Sequence, residues 1–125
     1  MAGKKRVLAI DDMGIQLAFY QSLLGGDYEL RACKSAEKGL EILEGKKADI
    51  ILLDLEMPGM SGIEFLQTLK LKPHLKEIPV IVISDQPRSP ESLEYGADDF
   101  LEKPVNPGLL QEKIKNLLGP YSDTG

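Results

Sequence analysis

Apolar runs along this chain stop abruptly at polar side chains. Val7-Leu8-Ala9-Ile10 runs into Asp11-Asp12, the stretch from Asp49 to Leu53 ends at Asp54, and Val80 to Ile83 ends at Ser84. A shorter run, Phe100-Leu101-Glu102, ends at Lys103 and is followed by Pro104. Between these runs the apolar period changes from continuous to helical. Ile15, Ala18, Phe19 and Leu23 fall at i, i+3, i+4 and i+8, one face of a helix that Gly25-Gly26 should end. Ala36, Leu40 and Leu43 line a second helix, with Ser35 as N-cap and Gly45 as stop. Ser61 and Glu64 have the spacing of a capping box, flanked by Met60 and Phe65 as a hydrophobic staple. That third helix should end before Pro73. Asn106-Pro107 reads as N-cap and first helical residue of the last helix, lined by Leu110, Ile114 and Leu117 and closed by Gly119-Pro120.

Strand and helix patterns thus alternate five times, with a second strand ending near Cys33, which argues for an α/β fold around a parallel sheet. The aliphatic runs lack polar alternation, as expected for strands covered on both faces. The fourth helix is predicted to be short. Ser89-Pro90 should start it and Gly96 should end it, so packing rather than propensity must order it, and this region is expected to be the least stable part.

In an open α/β sheet, ligands bind beyond the carboxyl ends of the strands. If the runs are parallel strands, then Asp11, Asp12, Asp54, Ser84 and Lys103 meet at that edge. One Asp after a strand is usually a turn or cap residue. Matched chemistry at the ends of four strands is not explained that way. Three neighbouring carboxylates repel, so they bind protons or recruit a cation. Hard oxygen ligands in a small open site suit Mg²⁺. One carboxylate could then attack phosphorus to give an acyl phosphate. Lys103 would neutralise phosphoryl charge and the Ser84 hydroxyl would donate to an oxygen.

Composition narrows the alternatives. The 125 residues are 42% hydrophobic and 28% charged, with a net charge of -5, the profile of one globular domain. The acidic balance argues against a nucleic-acid surface; Lys4-Lys5-Arg6 reads as a solvated lead into the first strand. No apolar run approaches the length of a membrane helix or a signal peptide, and a single Cys33, read as a small core residue, fits a reducing cytoplasm.

The motifs VLAIDD, IILLDLEMPGMSGIEFL, IPVIVIS and GADDFLEKP, in that order, resemble the receiver domain of two-component response regulators over essentially the whole chain, from Val7 to about Leu118. The resemblance implies a flavodoxin-like five-stranded parallel sheet of order 2-1-3-4-5 with helices on both faces. It implies one receiver domain over residues 6–119, between an N-terminal tail at 1–5 and a C-terminal tail at 120–125. By the same resemblance Asp54 would be the phosphoacceptor, and Asp11 and Asp12 with the backbone carbonyl of Glu56 would join it in holding Mg²⁺. Ser84 and Lys103 would contact the phosphoryl group, Phe100 would be the aromatic switch, and the Lys103-Pro104 bond would be cis. The implied partners are a histidine kinase or phosphotransfer protein upstream and a protein target or fused output domain downstream. The chain would be a signalling switch that catalyses its own phosphotransfer and slow dephosphorylation, not an enzyme acting on a separate substrate.

Two features depart from the family. Asp85 stands directly after Ser84, where receivers usually have a small residue, and it would slow phosphorylation or block a phosphatase. Ser84 and Lys103 are 19 positions apart, about three residues or close to one helical turn short of the usual spacing, with Pro87 and Pro90 in the shortened segment. These features keep open a receiver-like interaction module that does not use phosphate. A third reading, a Mg²⁺-dependent phosphatase with an aspartyl nucleophile, wants a second Asp two residues on, where this chain has Glu56. His74, the only histidine, reads as a loop residue; Asp98-Asp99 reads as a solvated turn, and Met57-Pro58-Gly59 as a loop shaping the wall beside Asp54.

Overall fold

The computed structural model describes residues 3–85 and 89–119. Pro87 and the expected tail from Pro120 to Gly125 lie outside the described residues. Five strands alternate with helices: β1 (Arg6–Ile10), α1 (Gly14–Leu24), β2 (Glu29–Cys33), α2 (Ala36–Gly45), β3 (Ile50–Leu53), α3 (Gly62–Lys70) and β4 (Val80–Ser84). A 3₁₀ helix (Ser89–Tyr95), β5 (Asp99–Glu102) and α4 (Pro107–Leu118) complete the chain. All pairings are parallel, in the order β2-β1-β3-β4-β5.

Strand alternation divides the core into two layers. Leu8, Ile10, Ile51, Leu53, Val80 and Val82 face one layer, where Ala36 and Leu43 of α2 and Phe65, Leu66 and Leu69 of α3 pack on them. Val7, Ala9, Ile50, Leu52, Ile81 and Ile83 face the other, against Leu17, Tyr20 and Leu24 of α1 and Leu110 and Ile114 of α4. Burial on both faces is why β1, β3 and β4 read as unbroken aliphatic runs.

The predicted caps form. Ser35 Oγ accepts the Lys38 N–H at 3.1 Å and Asn106 Oδ1 accepts the Leu109 N–H at 2.9 Å. Ser61 and Glu64 complete the reciprocal capping box, with the Ser61 N–H donating to Glu64 Oε1 at 2.8 Å and the Glu64 N–H to Ser61 Oγ at 3.2 Å.

Three expectations need correction. The buried face of α1 is Leu17, Tyr20 and Leu24; Ile15 is 79% exposed and Ala18 is exposed, while Phe19 and Leu23 lie at the margin. The helical period was right but its phase was not, because two apolar stripes share this helix and the one carrying Tyr20 meets the sheet. The short segment between β4 and β5 is a 3₁₀ helix, stopped at Gly96 with φ +107°. Asp98-Asp99 is a solvated turn only at Asp98, an exposed bend residue whose Oδ2 accepts the Val80 N–H at 2.9 Å; Asp99 opens β5 with Oδ2 2.9 Å from Lys113 Nζ.

Candidate functional site

The parallel order brings the carboxyl ends of β1, β3, β4 and β5 to one edge. Asp11 and Asp54 follow the last residues of the two central strands, β1 and β3, which pair in register through Ile10 and Leu53. The Asp54 N–H continues that ladder, donating to the Ile10 carbonyl at 3.0 Å, so the two carboxylates are carried side by side. Asp11 is 1% exposed and Asp54 5%, while Asp12 is half-buried. One oxygen from each of Asp11, Asp12 and Asp54 lies within 4.8 Å of the others.

Lys103, the residue after β5, reaches back to this cluster. Its Nζ is 3.1 Å from Asp11 Oδ2 and 3.6 Å from Asp54 Oδ1. Its backbone N–H donates to the Ser84 carbonyl at 3.1 Å, and the following bond to Pro104 is cis. Ser84 is the last residue of β4, fully buried between the strands that carry Asp54 and Lys103. The Glu56 N–H donates to Asp54 Oδ1 at 3.3 Å. The Met13 N–H donates to Asp11 Oδ1 at 2.9 Å, which fixes the turn into α1.

Electrostatics follow from this packing. Burial raises the Asp54 pKa first and the Asp11 charge adds to it; Lys103 and the Glu56 N–H pull the other way, and Asp12 adds a smaller push, leaving it at about 6. Burial works against the Lys103 ammonium. The hydrogen bond and charge of Asp11, then the charges of Asp54 and Asp85, outweigh it and hold its pKa above the ordinary lysine value. Among the described residues, Lys103 is the cation paired with the three carboxylates of the Asp11, Asp12 and Asp54 cluster, a deficit of positive charge that a divalent ion would correct. The donor set fits a hard cation: carboxylate oxygens only, close together, with Asp11 and Asp54 buried and Asp12 partly open to solvent.

All the residues expected at the site except Phe100 converge on the strand ends. Phe100 lies lower, in β5 opposite Val82, half-buried against the layer formed by α2 and α3. Asp85 is exposed at the mouth, and its charge is felt by Lys103. Cys33 is buried at the end of β2, where desolvation raises its thiol pKa, so it is a core residue. His74 is exposed, 3.5 Å from Glu44 at the far edge of the sheet.

Two neighbours of the site escaped the sequence reading. Tyr20 is buried under it. Its hydroxyl pKa is raised by burial, opposed by a hydrogen bond with Gln16 and raised further by the charges of Asp11 and Asp54. Only the correct phase of α1 would have pointed to it. Glu37, in the first turn of α2, accepts the Met60 N–H at 3.0 Å, tying α2 to the loop after Asp54. No local pattern signals a contact that spans 23 positions.

Comparison with known proteins agrees with this geometry. Residues 7–115 match the family model described as the response regulator receiver domain. The two-component response regulator ORR5 of Oryza sativa subsp. japonica is 37% identical over 121 residues, covering 93% of this chain and 90% of that protein. The protein named Probable cyclic di-GMP phosphodiesterase from Vibrio cholerae is 37% identical over 112 residues; the match takes in 86% of this chain but only 25% of that longer protein. A CheY-like response regulator receiver domain protein from Methanospirillum hungatei superposes with a TM-score of 0.84 at 31% identity, over 98% of this chain and all of that one. The chain belongs to the response regulator receiver domain family. The general role of that family is a phosphorylation-controlled switch in two-component signalling.

Proposed function

We propose that Asp54 is the phosphoacceptor of this receiver and that a histidine kinase or phosphotransfer protein supplies the phosphoryl group. The observation that carries the reading is the convergence of Asp11, Asp12, Asp54 and Lys103 at one sheet edge, with Nζ–carboxylate distances of 3.1 and 3.6 Å. With a pKa of about 6, Asp54 is mostly an anion at neutral pH and able to act as a nucleophile. One of its oxygens attacks phosphorus. The N–P bond to the donor histidine breaks, its electron pair returns to the imidazole nitrogen, and an aspartyl phosphate remains.

Asp11, Asp12, Asp54 and the Glu56 carbonyl would hold Mg²⁺, which when bound screens the repulsion between carboxylates and incoming phosphoryl oxygens. Lys103 neutralises the remaining charge and fixes an oxygen from the β5 side. The Ser84 hydroxyl donates to another oxygen. In this reading the new charge pulls Ser84 inward, Phe100 repacks in the β5 face, and the population shifts between two surface shapes, which a downstream protein or output domain reads. Hydrolysis of the acyl phosphate resets the switch. Residues 6–119 are taken as the switch domain. Among the described residues no helix is long and apolar enough to cross a membrane.

Acetyl phosphate with Mg²⁺, followed by intact and peptide mass spectrometry, tests this directly. The wild type should gain about 80 Da, the mass of one phosphoryl group, on the peptide holding Asp54. Asp54→Asn should gain none. Wild type that stays unlabelled and also fails to bind beryllofluoride would favour the interaction module that works without phosphate.

A further inference from the structure

Asp54 opens a loop, residues 54–61, that carries the Glu56 backbone past the acid cluster and packs Met57 against the core before α3 begins. Its two ends are fixed by the chain's own structure. At the start, the Asp54 N–H is bound to the Ile10 carbonyl at 3.0 Å; at the close, the Gly62 N–H binds the Leu55 carbonyl at 3.1 Å and the capping box holds Ser61. The apex is fixed from elsewhere. Glu37 Oε2 accepts the Met60 N–H at 3.0 Å. The same carboxylate lies against Gly59, whose φ is +77° and where a Cβ would sit 2.9 Å from Glu37 Oε2. A side chain at position 59 would push the carboxylate away and would be strained by the backbone conformation itself. The apex is thus shaped to receive a carboxylate from α2.

We propose that Glu37 is a positioning residue: its carboxylate pins the apex of the 54–61 loop, and through the loop sets where the Glu56 carbonyl stands relative to Asp54. It touches neither the cation nor the phosphoryl group. The inference rests on the phosphoacceptor reading above for its functional consequence, but the pinning itself does not. A charge-assisted hydrogen bond from a neighbouring element restrains the loop apex, beside the packing of Met57 and Met60 against the core layer of α2 and α3. The metal and phosphoryl site needs that restraint, because loss of positional order in one ligand lowers both ion affinity and the rate of in-line attack.

The test compares wild type, Glu37→Ala and Glu37→Gln. Amide exchange at Met60, Mg²⁺ affinity by calorimetry, the rate of acetyl phosphate labelling and thermal unfolding are measured for each. Glu37→Ala should speed Met60 exchange and weaken Mg²⁺ binding by about three- to tenfold, the range of one charged hydrogen bond partly screened by water. Labelling at subsaturating Mg²⁺ should slow by a similar factor and recover when Mg²⁺ is saturating. Glu37→Gln keeps an acceptor oxygen and should restore most of each quantity, whereas a role in bulk stability or net charge would not follow that order. Wild-type Mg²⁺ affinity and Met60 exchange in Glu37→Ala would overturn the proposal, as would a Gln variant no better than Ala. If wild type neither binds Mg²⁺ nor labels, the phosphoacceptor reading fails instead, and Met60 exchange still decides the pinning.

Discussion

Asp54 is 5% exposed, and its carboxylate lies beside that of Asp11. Burial and the neighbouring Asp11 raise its pKa from 3.8 to about 6, so the folded chain holds this proton more tightly than the unfolded chain does. Between those values the folded state binds more protons, so this group's contribution to stability falls as pH rises and is fully unfavourable above about pH 6. The shift corresponds to about 3 kcal/mol at neutral pH without metal. Asp54→Asn should therefore be more stable than wild type by about 1–3 kcal/mol at pH 7.5 in EDTA, and the gap should shrink by about half at pH 5. Urea unfolding at the two pH values checks this. A gap that widens toward acid would show that Asp54 is stabilised as an anion. The candidate site itself was legible in the sequence residue by residue, because its chemistry is written as polar letters at the ends of apolar runs. Tyr20 and Glu37 were not, because each acts through a contact made only when a helix docks.

Among the elements, local signals predicted the helices that carry their own caps. Ser35, Ser61 and Asn106 each accept the expected backbone N–H, and those three helices begin where the caps place them. The helix α1 has no side-chain cap at Met13 and presents two apolar stripes. Its phase was set by docking on the sheet, so the sequence pattern alone chose the wrong stripe. Between β4 and β5 the predicted short helix is present, but the tighter 3₁₀ winding follows from its contacts with β4, β5 and α3, not from propensity. The capping box matters beyond α3, since it closes the loop that starts at Asp54. Gly62 stands beneath that loop, where a Cβ would sit 2.7 Å from the Asp54 carbonyl, so the start of α3 packs directly under Asp54. Ser61→Ala should cost about 0.5–2 kcal/mol of stability in urea unfolding, with Ser61→Asp recovering most of it.

At the scale of the whole molecule, the doubly wound topology turns four strand ends into one site. The order β2-β1-β3-β4-β5 puts β1 and β3 at the centre and so brings their terminal carboxylates together; β4 and β5 follow with Ser84 and Lys103. The cost of gathering three carboxylates beside Lys103 is borne by the two apolar layers. A divalent ion should return part of it. Millimolar Mg²⁺ should raise the unfolding temperature of wild type at pH 7.5, by the mass-action stabilisation any native-state ligand gives. The rise should be lost in Asp11→Asn/Asp12→Asn, and differential scanning calorimetry with Ca²⁺-free buffers would show it.

The most direct measurement is a beryllofluoride titration in the presence of Mg²⁺, followed by amide NMR of the wild type and of Asp54→Asn. Beryllofluoride mimics a phosphoryl group only when a carboxylate oxygen can bond to it. The account expects saturable shifts at Asp54, Ser84 and Lys103, extending to Phe100, and none in Asp54→Asn or without Mg²⁺. Shifts that persist in Asp54→Asn, or a wild-type spectrum unchanged at saturating reagent, would contradict it.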